Sequence, residues 1–223
     1  TINEGTYSIT QRPVTISGTK VYDGSQTVSA ANITTFNNTA GGQTLTVSGN
    51  TSFLESQSVG SGKTINVSGL TLGNGTGVAS NYSLSSGTFN VTSRPVTLTT
   101  SRLFDNTKNA DATNLSVTFN NLVGSETLSL SGSGSVTSEN VASGQQSVTF
   151  GTLSLADNTG VASNYTLSSA TLDINAKPIS LSGSKVYDAS ATAASSALTI
   201  SGTVSGQTLT LTGNGTLSAG ADV

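Results

Sequence analysis

The sequence predicts an all-β chain of tandem, elongated, immunoglobulin-like sandwich units set end to end in a rod. Three observations carry that expectation. The stretch Arg12-Pro13-Val14-Thr15-Ile16-Ser17-Gly18-Thr19-Lys20-Val21-Tyr22-Asp23-Gly24 returns from Arg94 to Asn106 and again from Lys177 to Ala189. The period is about 82 residues, so the chain is an array of one unit. Apolar and hydroxyl side chains alternate in short runs, the pattern of strands buried on one face. No window sets apolar residues at helical spacing between start and stop signals, so almost no helix is expected.

Residues 1–11 read as the last strand of a preceding unit. Tyr7 stands before Arg12 as Phe89 stands before Arg94 and Leu172 before Lys177, so the three hold one position. Repeat one runs over 12–93. Val14 and Ile16 alternate with Thr15 and Ser17, and Pro13 sits at the strand start, where a missing N–H costs least. Asp23-Gly24 signals a turn. Further strands are expected at 44–48, 64–68, 82–84 and 89–91. Gly41-Gly42, Gly60-Ser61-Gly62 and Gly73-Asn74-Gly75 read as turns between them.

Repeat two, 94–176, copies the plan. Leu128-Ser129-Leu130-Ser131 matches 45–48, Val148-Thr149-Phe150 matches 65–67, and 159–168 nearly copies 76–85. Residues 177–223 are the first half of a third repeat, whose last recognisable strand is Leu209-Thr210-Leu211-Thr212. The junctions at Ser93-Arg94-Pro95 and Ala176-Lys177-Pro178 have no Gly/Ser linker, and proline holds the residue before it extended. A stiff rod is expected from this. The incomplete end repeats suggest that the parent chain continues on both sides, or that copies complete one another in a filament. The absence of Met points to a fragment in the same way.

A β-helix or solenoid is the competing architecture. Leu45–Gly49 and Ile65–Gly69 lie about 20 residues apart, near one coil of such a fold, but that period does not run through the unit.

Composition narrows the chemistry. With no Cys there is no disulfide and no thiolate metal site, and with no His the usual acid–base residue is missing. Hydrophobic residues make up 34% and charged residues 9%, and the eight Lys and Arg are scattered, so nucleic acid is not an expected partner. No apolar run approaches the length that spans a membrane. Glu4, Glu55, Glu126 and Glu139 do not recur as a pair, and the Gly-rich stretches lack the lysine of a phosphate loop. No enzyme and no cofactor are expected.

The thrice-repeated block, best in Val21-Tyr22-Asp23-Gly24, with its Arg/Lys-Pro opening and the Asn-Tyr-Ser/Thr-Leu segments at 81–84 and 164–167, resembles the YDG repeat of very large bacterial surface proteins. Those resemble filamentous-haemagglutinin adhesins exported by two-partner secretion. The resemblance implies export, an extracellular location on the bacterial surface and a stalk or filament role, with neighbouring repeats or copies of the chain as partners. Copies two and three depart from the motif, reading Phe104-Asp105-Asn106 and Tyr187-Asp188-Ala189.

Four sets of residues are candidate sites. Asp23, Asp105 and Asp188 share one position; they offer one Ca²⁺ ligand per repeat, but a lone carboxylate suits a self-capped turn better. Tyr22, Phe104 and Tyr187 form an aromatic set, either exposed for sugars or a partner chain or, as favoured, packed in the core or at a junction. Lys20 and Lys185 invite an isopeptide crosslink to Asn, against the favoured reading as solvated or ion-paired cations; Arg102 holds that position in repeat two and cannot react so. Asn-x-Ser/Thr acceptors occur at Asn32, Asn37, Asn50, Asn66, Asn74, Asn81, Asn90, Asn114, Asn164 and Asn214, with Asn81 and Asn164 at equivalent places. The function expected is a non-catalytic structural stalk; the alternative is a module that binds a glycan or a protein.

Overall fold

The computed structural model describes residues 5–141 and 145–220. It is nearly all strand, and the helical elements among the described residues are three-residue 3-10 turns such as Ala30–Asn32 and Ala79–Asn81. The chain separates into two compact units that cut across the sequence repeats. Unit 1 takes Thr1–Thr97, Phe119–Ser129 and Leu155–Ser168; unit 2 takes Leu98–Thr118, Leu130–Ser154 and Ser169–Val223.

Unit 1 contains all of repeat one. Its strands are β1 (Arg12–Val21), β2 (Thr27–Ser29), β3 (Ile33–Asn37), β4 (Leu45–Ser52), β5 (Gly60–Thr64), β6 (Leu70–Asn74) and β7 (Tyr82–Thr92). They form a four-stranded sheet in the order β3-β1-β7-β5 and a three-stranded sheet in the order β2-β4-β6. β1 and β7 run parallel, from Arg12 opposite Tyr82 to Val21 opposite Thr92, and the other pairings are antiparallel. Alternation along β1 buries Val14 and Ile16, and along β7 it buries Phe89 and Val91. Val14 and Tyr82 of the first sheet pack with Leu45 of the second, and Phe36, Ala40, Leu72 and Leu84 close around them. A fully buried side chain such as Val14 contributes roughly 1.5–3 kcal/mol by leaving water.

Repeat two continues with β8 (Arg94–Leu103), β9 (Asn109–Asp111), β10 (Ser116–Asn120), β11 (Ser129–Ser131), β12 (Ser133–Ser135), β13 (Gln146–Ser147), β14 (Ser154–Ala156) and β15 (Tyr165–Asn175). The order β10-β8-β15-β13 reproduces β3-β1-β7-β5 strand for strand. Unit 2 also holds β16 (Ser180–Gly183), β17 (Thr192–Ala194), β18 (Leu198–Ser201) and β19 (Asn214–Thr216), paired as β16-β18 and β17-β19. These match β1-β3 and β2-β4.

The all-strand expectation is met, and the solenoid alternative is not: the several small sheets build neither solenoid nor barrel. β4 meets β6 antiparallel, whereas solenoid coils stack in parallel. Several element boundaries also shift. The turn expected at Gly60-Ser61-Gly62 is strand β5, its register broken between Gly60 and Lys63. Of the strand expected at 64–68, Thr64 ends β5 and Ile65 makes a single bridge, to Phe53. Gly73 and Asn74 lie inside β6; at Gly73 the Cβ-free backbone fits beside Thr46 of β4, whose hydroxyl stands 2.4 Å from where a Cβ would be. Val148–Phe150 is not a strand; Thr149 makes one bridge, to Ser135. Leu209–Thr212 forms no strand. Its counterpart in β4 pairs with β6, and no such strand faces it among the described residues. Residues 5–11 likewise form no strand. Between β7 and β8 stands Ser93 alone, while Ala176–Ile179 separate β15 from β16.

Candidate functional site

Strand alternation points Lys20 inward near the end of β1, where its stem is buried and its ammonium must find oxygen. Three acceptors meet Lys20 Nζ: Asp23 Oδ1 at 2.8 Å, the Thr27 carbonyl at 2.7 Å and the Ser25 carbonyl at 3.0 Å. Asp23 Oδ1 also accepts the Ser25 N–H at 3.0 Å, so one carboxylate oxygen closes the turn and neutralises the cation. Lys185 repeats this with Asp188 at 2.7 Å and the carbonyls of Ser190 and Thr192. The Lys185 ammonium beside Asp188 holds that carboxyl below the usual aspartate range, helped by the Ser190 N–H. In repeat two Arg102 pairs with Asp105 and donates to the Thr107 and Leu103 carbonyls. A cradle sized for three ammonium donors cannot serve a five-donor fork, and Arg102 Nε is buried without a partner.

The three aspartates are therefore turn caps, each facing a cation. Among the described residues no group of three or more Asp or Glu is placed to hold a metal ion. Lys20 and Lys185 are ion-paired, the reading favoured over an isopeptide bond. The turn places a left-handed residue directly after each Asp: Gly24 (φ 71°), Asn106 (φ 63°) and Ala189 (φ 59°). Gly24 is also pressed close, since a Cβ there would lie 2.7 Å from Val123 Cγ1.

Within unit 1 the same turn delivers Tyr22 to the start of repeat two. Tyr22 is 4% exposed, and its hydroxyl donates to Glu126 Oε1 at 2.7 Å. Glu126 Oε2 accepts from the Tyr165 hydroxyl at 2.6 Å, and that hydroxyl accepts from the Val123 N–H. The two rings meet edge to face, centroids 5.5 Å apart. Burial first, and then the Glu126 carboxylate, push the Tyr22 phenol up to about 12 and raise Tyr165 by the same causes. Beside them Asn164, 2% exposed, accepts the Val59 N–H at 2.9 Å. In repeat one the equivalent Tyr82 hydroxyl donates to Gln43 Oε1 and accepts from the Ala40 N–H.

Within unit 2, Phe104 occupies the Tyr22 position and Gln207 the Glu126 position. The phenol and the carboxylate are thus lost together. Phe104 keeps the backbone bond, N–H to Asn175 carbonyl, as Tyr22 does to Thr92. Gln207 instead donates to Asn106 Oδ1 at 3.1 Å. Tyr187, third of the set, is 60% exposed. Packing at a junction therefore describes Tyr22, while Tyr187 is open. Of the paired glycosylation candidates, Asn81 is exposed, whereas Asn164 is buried with its side chain engaged. Sequence reasoning missed Glu126 and Tyr165. The signal was available in the parallel change from Tyr22 with Glu126 to Phe104 with Gln207.

In the comparison with known families, the family described as the YDG domain matches residues 7–89 and again 90–172. No curated protein and no solved structure matches the chain. This corrects the resemblance drawn from the sequence. What is found is a YDG domain, twice in tandem; the link to filamentous-haemagglutinin adhesins has no support and is withdrawn.

Proposed function

The chain belongs to the YDG domain family, and from that premise we propose that it is a non-catalytic structural array, a stiff spacer whose repeats are locked to one another at their junctions. The observation that carries the reading is the Tyr22–Glu126–Tyr165 contact, in which one repeat's turn is buried against the next within a single compact unit. The single residue Ser93 between β7 and β8 supports it, because a one-residue connection gives a hinge little room. Both Glu126 oxygens are taken by tyrosine hydroxyls, and each turn aspartate is taken by a cation. The polar groups with the strongest environments are thus spent on holding the fold. In repeat one we read the two sheets as the faces of a sandwich, supported by the shared packing of Val14, Leu45 and Tyr82.

The test uses the absence of cysteine. Spin labels at Ser61→Cys and Asn158→Cys, both exposed and both in unit 1, report the junction as a distance distribution. A single narrow distribution that broadens in Glu126→Ala is expected. A broad one in the unmodified background refutes the stiff spacer. A glycan array tests the binding-module alternative, and strong, specific capture would favour it.

A further inference from the structure

The first and last strands of repeat one lie side by side and run the same way. β1 faces β7 from Arg12 opposite Tyr82 to Val21 opposite Thr92. A chain that enters at Arg12 and leaves after Thr92 therefore does so from opposite ends of one ladder. Tension between those points pulls the two strands past each other along their length. The ladder is then loaded in shear, with its bonds strained together and not peeled apart pair by pair.

Several features strengthen that ladder. β1 and β7 are the inner strands of the order β3-β1-β7-β5, so both sides of each are paired and water has no edge from which to compete. Val14, Ile16, Phe89 and Val91 bury one face of the pair. The register slips once, between Val14 and Thr15, where Ser85 is passed over. There the Ser85 hydroxyl donates to the Val14 carbonyl at 3.0 Å and ties the irregularity across. Beyond the end of β1, the Tyr22 N–H adds a bond to the Thr92 carbonyl at 2.9 Å. Repeat two keeps the same parts. β8 and β15 are the inner strands of β10-β8-β15-β13. The Ser168 hydroxyl donates to the Val96 carbonyl at 2.9 Å as Ser85 does to Val14, and the Phe104 N–H to the Asn175 carbonyl at 2.8 Å as Tyr22 does to Thr92. Core side chains change between the repeats, Phe89 to Leu172, and these ties stay.

We propose that each repeat is a load-bearing clamp, in which the parallel pair β1–β7, and its counterpart β8–β15, resists tension carried along the chain. Ser93 alone joins β7 to β8, so tension leaving one inner pair enters the next without slack. Forced opening is governed by the barrier met along the pulled direction and not by equilibrium stability. One fold therefore resists strongly when its ladder is sheared and weakly when the same ladder is peeled from one end. This deepens the structural reading above and rests on it: a spacer that also holds under load.

Single-molecule force spectroscopy on the full chain tests the proposal, and the absence of native cysteine leaves the pulling points free to choose. Thr10→Cys/Thr92→Cys loads the inner pair in shear. Thr10→Cys/Ser80→Cys pulls the same strands apart from one end, because Ser80 precedes β7 beside the start of β1, where Gln11 donates to its carbonyl at 3.0 Å. All three positions are exposed, so urea midpoints of both variants should match that of the unsubstituted chain. At one pulling rate the shear pair should rupture at about twofold higher force or more than the peeling pair. The shear rupture should come in a single step that releases on the order of 250 Å of chain. Equal forces in the two directions, or a shear trace that yields in small successive steps, overturns the proposal. Neither result alters the Ser61–Asn158 distance distribution, so the clamp and the stiff junction fail separately.

Discussion

Replacing Tyr22 by Phe removes one oxygen from the repeat junction and leaves the ring. That oxygen donates to Glu126 Oε1 at 2.7 Å from a residue 4% exposed, so no water replaces it readily. A hydrogen bond to a charged group contributes about 1.5–3 kcal/mol. The loss is reduced because Glu126 keeps the Tyr165 hydroxyl and the ring keeps its edge-to-face contact. A destabilisation of about 1–2 kcal/mol is expected. Alkaline pH gives an independent reading of the same bond. The phenol titrates near 10 when unfolded and is pushed up to about 12 in the fold, so between these values the unfolded chain has released a proton that the folded chain keeps. Stability from this group is intact below about pH 10 and falls as pH rises toward about 12, by on the order of 2–3 kcal/mol. Urea unfolding followed by tyrosine fluorescence at neutral and alkaline pH measures both effects. Tyr22→Phe should lower the unit 1 midpoint at pH 7 and flatten its alkaline decline. A midpoint unchanged at pH 7 together with an undiminished alkaline slope refutes the junction argument.

Three further outcomes are expected. Gly24→Ala should destabilise by about 1–3 kcal/mol, since it places a Cβ in the left-handed region and against Val123 Cγ1; Ala189→Gly should stabilise its own turn by about 1 kcal/mol; thermal melts of the two variants check the opposite signs. Asp23→Ala leaves the buried Lys20 ammonium with carbonyls alone and should cost about 1–3 kcal/mol, whereas Lys20→Met removes the charge with the need for it and should cost less; urea midpoints of the two variants measure the difference. Asp188, held down chiefly by Lys185, should titrate by NMR below the ordinary aspartate value. It should return toward that value in Lys185→Met, and its contribution to the turn is present above the unfolded pKa and lost as pH falls through the folded one.

The all-strand character was legible because two signals agreed: a period in the sequence and alternation within it. Val14 and Ile16 alternate with hydroxyls and are buried as that pattern requires. The glycine-rich segments misled. Gly60-Ser61-Gly62 and Gly73-Asn74 have the composition of turns yet run as strand. At Gly73 a Cβ would meet the Thr46 hydroxyl on the neighbouring strand, a property of pairing and not of local sequence. The turn aspartates cap their own loops, since an Asp two residues before a free N–H acts locally. Glu126 has no local pattern that marks it as a junction residue, because its partner Tyr22 lies in the preceding repeat; only the paired change to Phe104 and Gln207 in the next repeat records it. Asn81 and Asn164 look alike in sequence and differ in burial. The Val59 N–H that engages Asn164 belongs to the preceding repeat, and no local pattern around Asn164 records it.

Amide hydrogen exchange at the first junction tests most directly whether repeats one and two are locked together. The Val59 N–H is held by Asn164, the Val123 N–H by the Tyr165 hydroxyl and the Tyr22 N–H by Thr92. These three amides should exchange in the same slow, cooperative class as those of β1 and β7, and Glu126→Ala should speed all three while leaving the centre of β1 protected. Exchange of Val59 and Val123 at the rate of open loops in the unmodified chain contradicts the account.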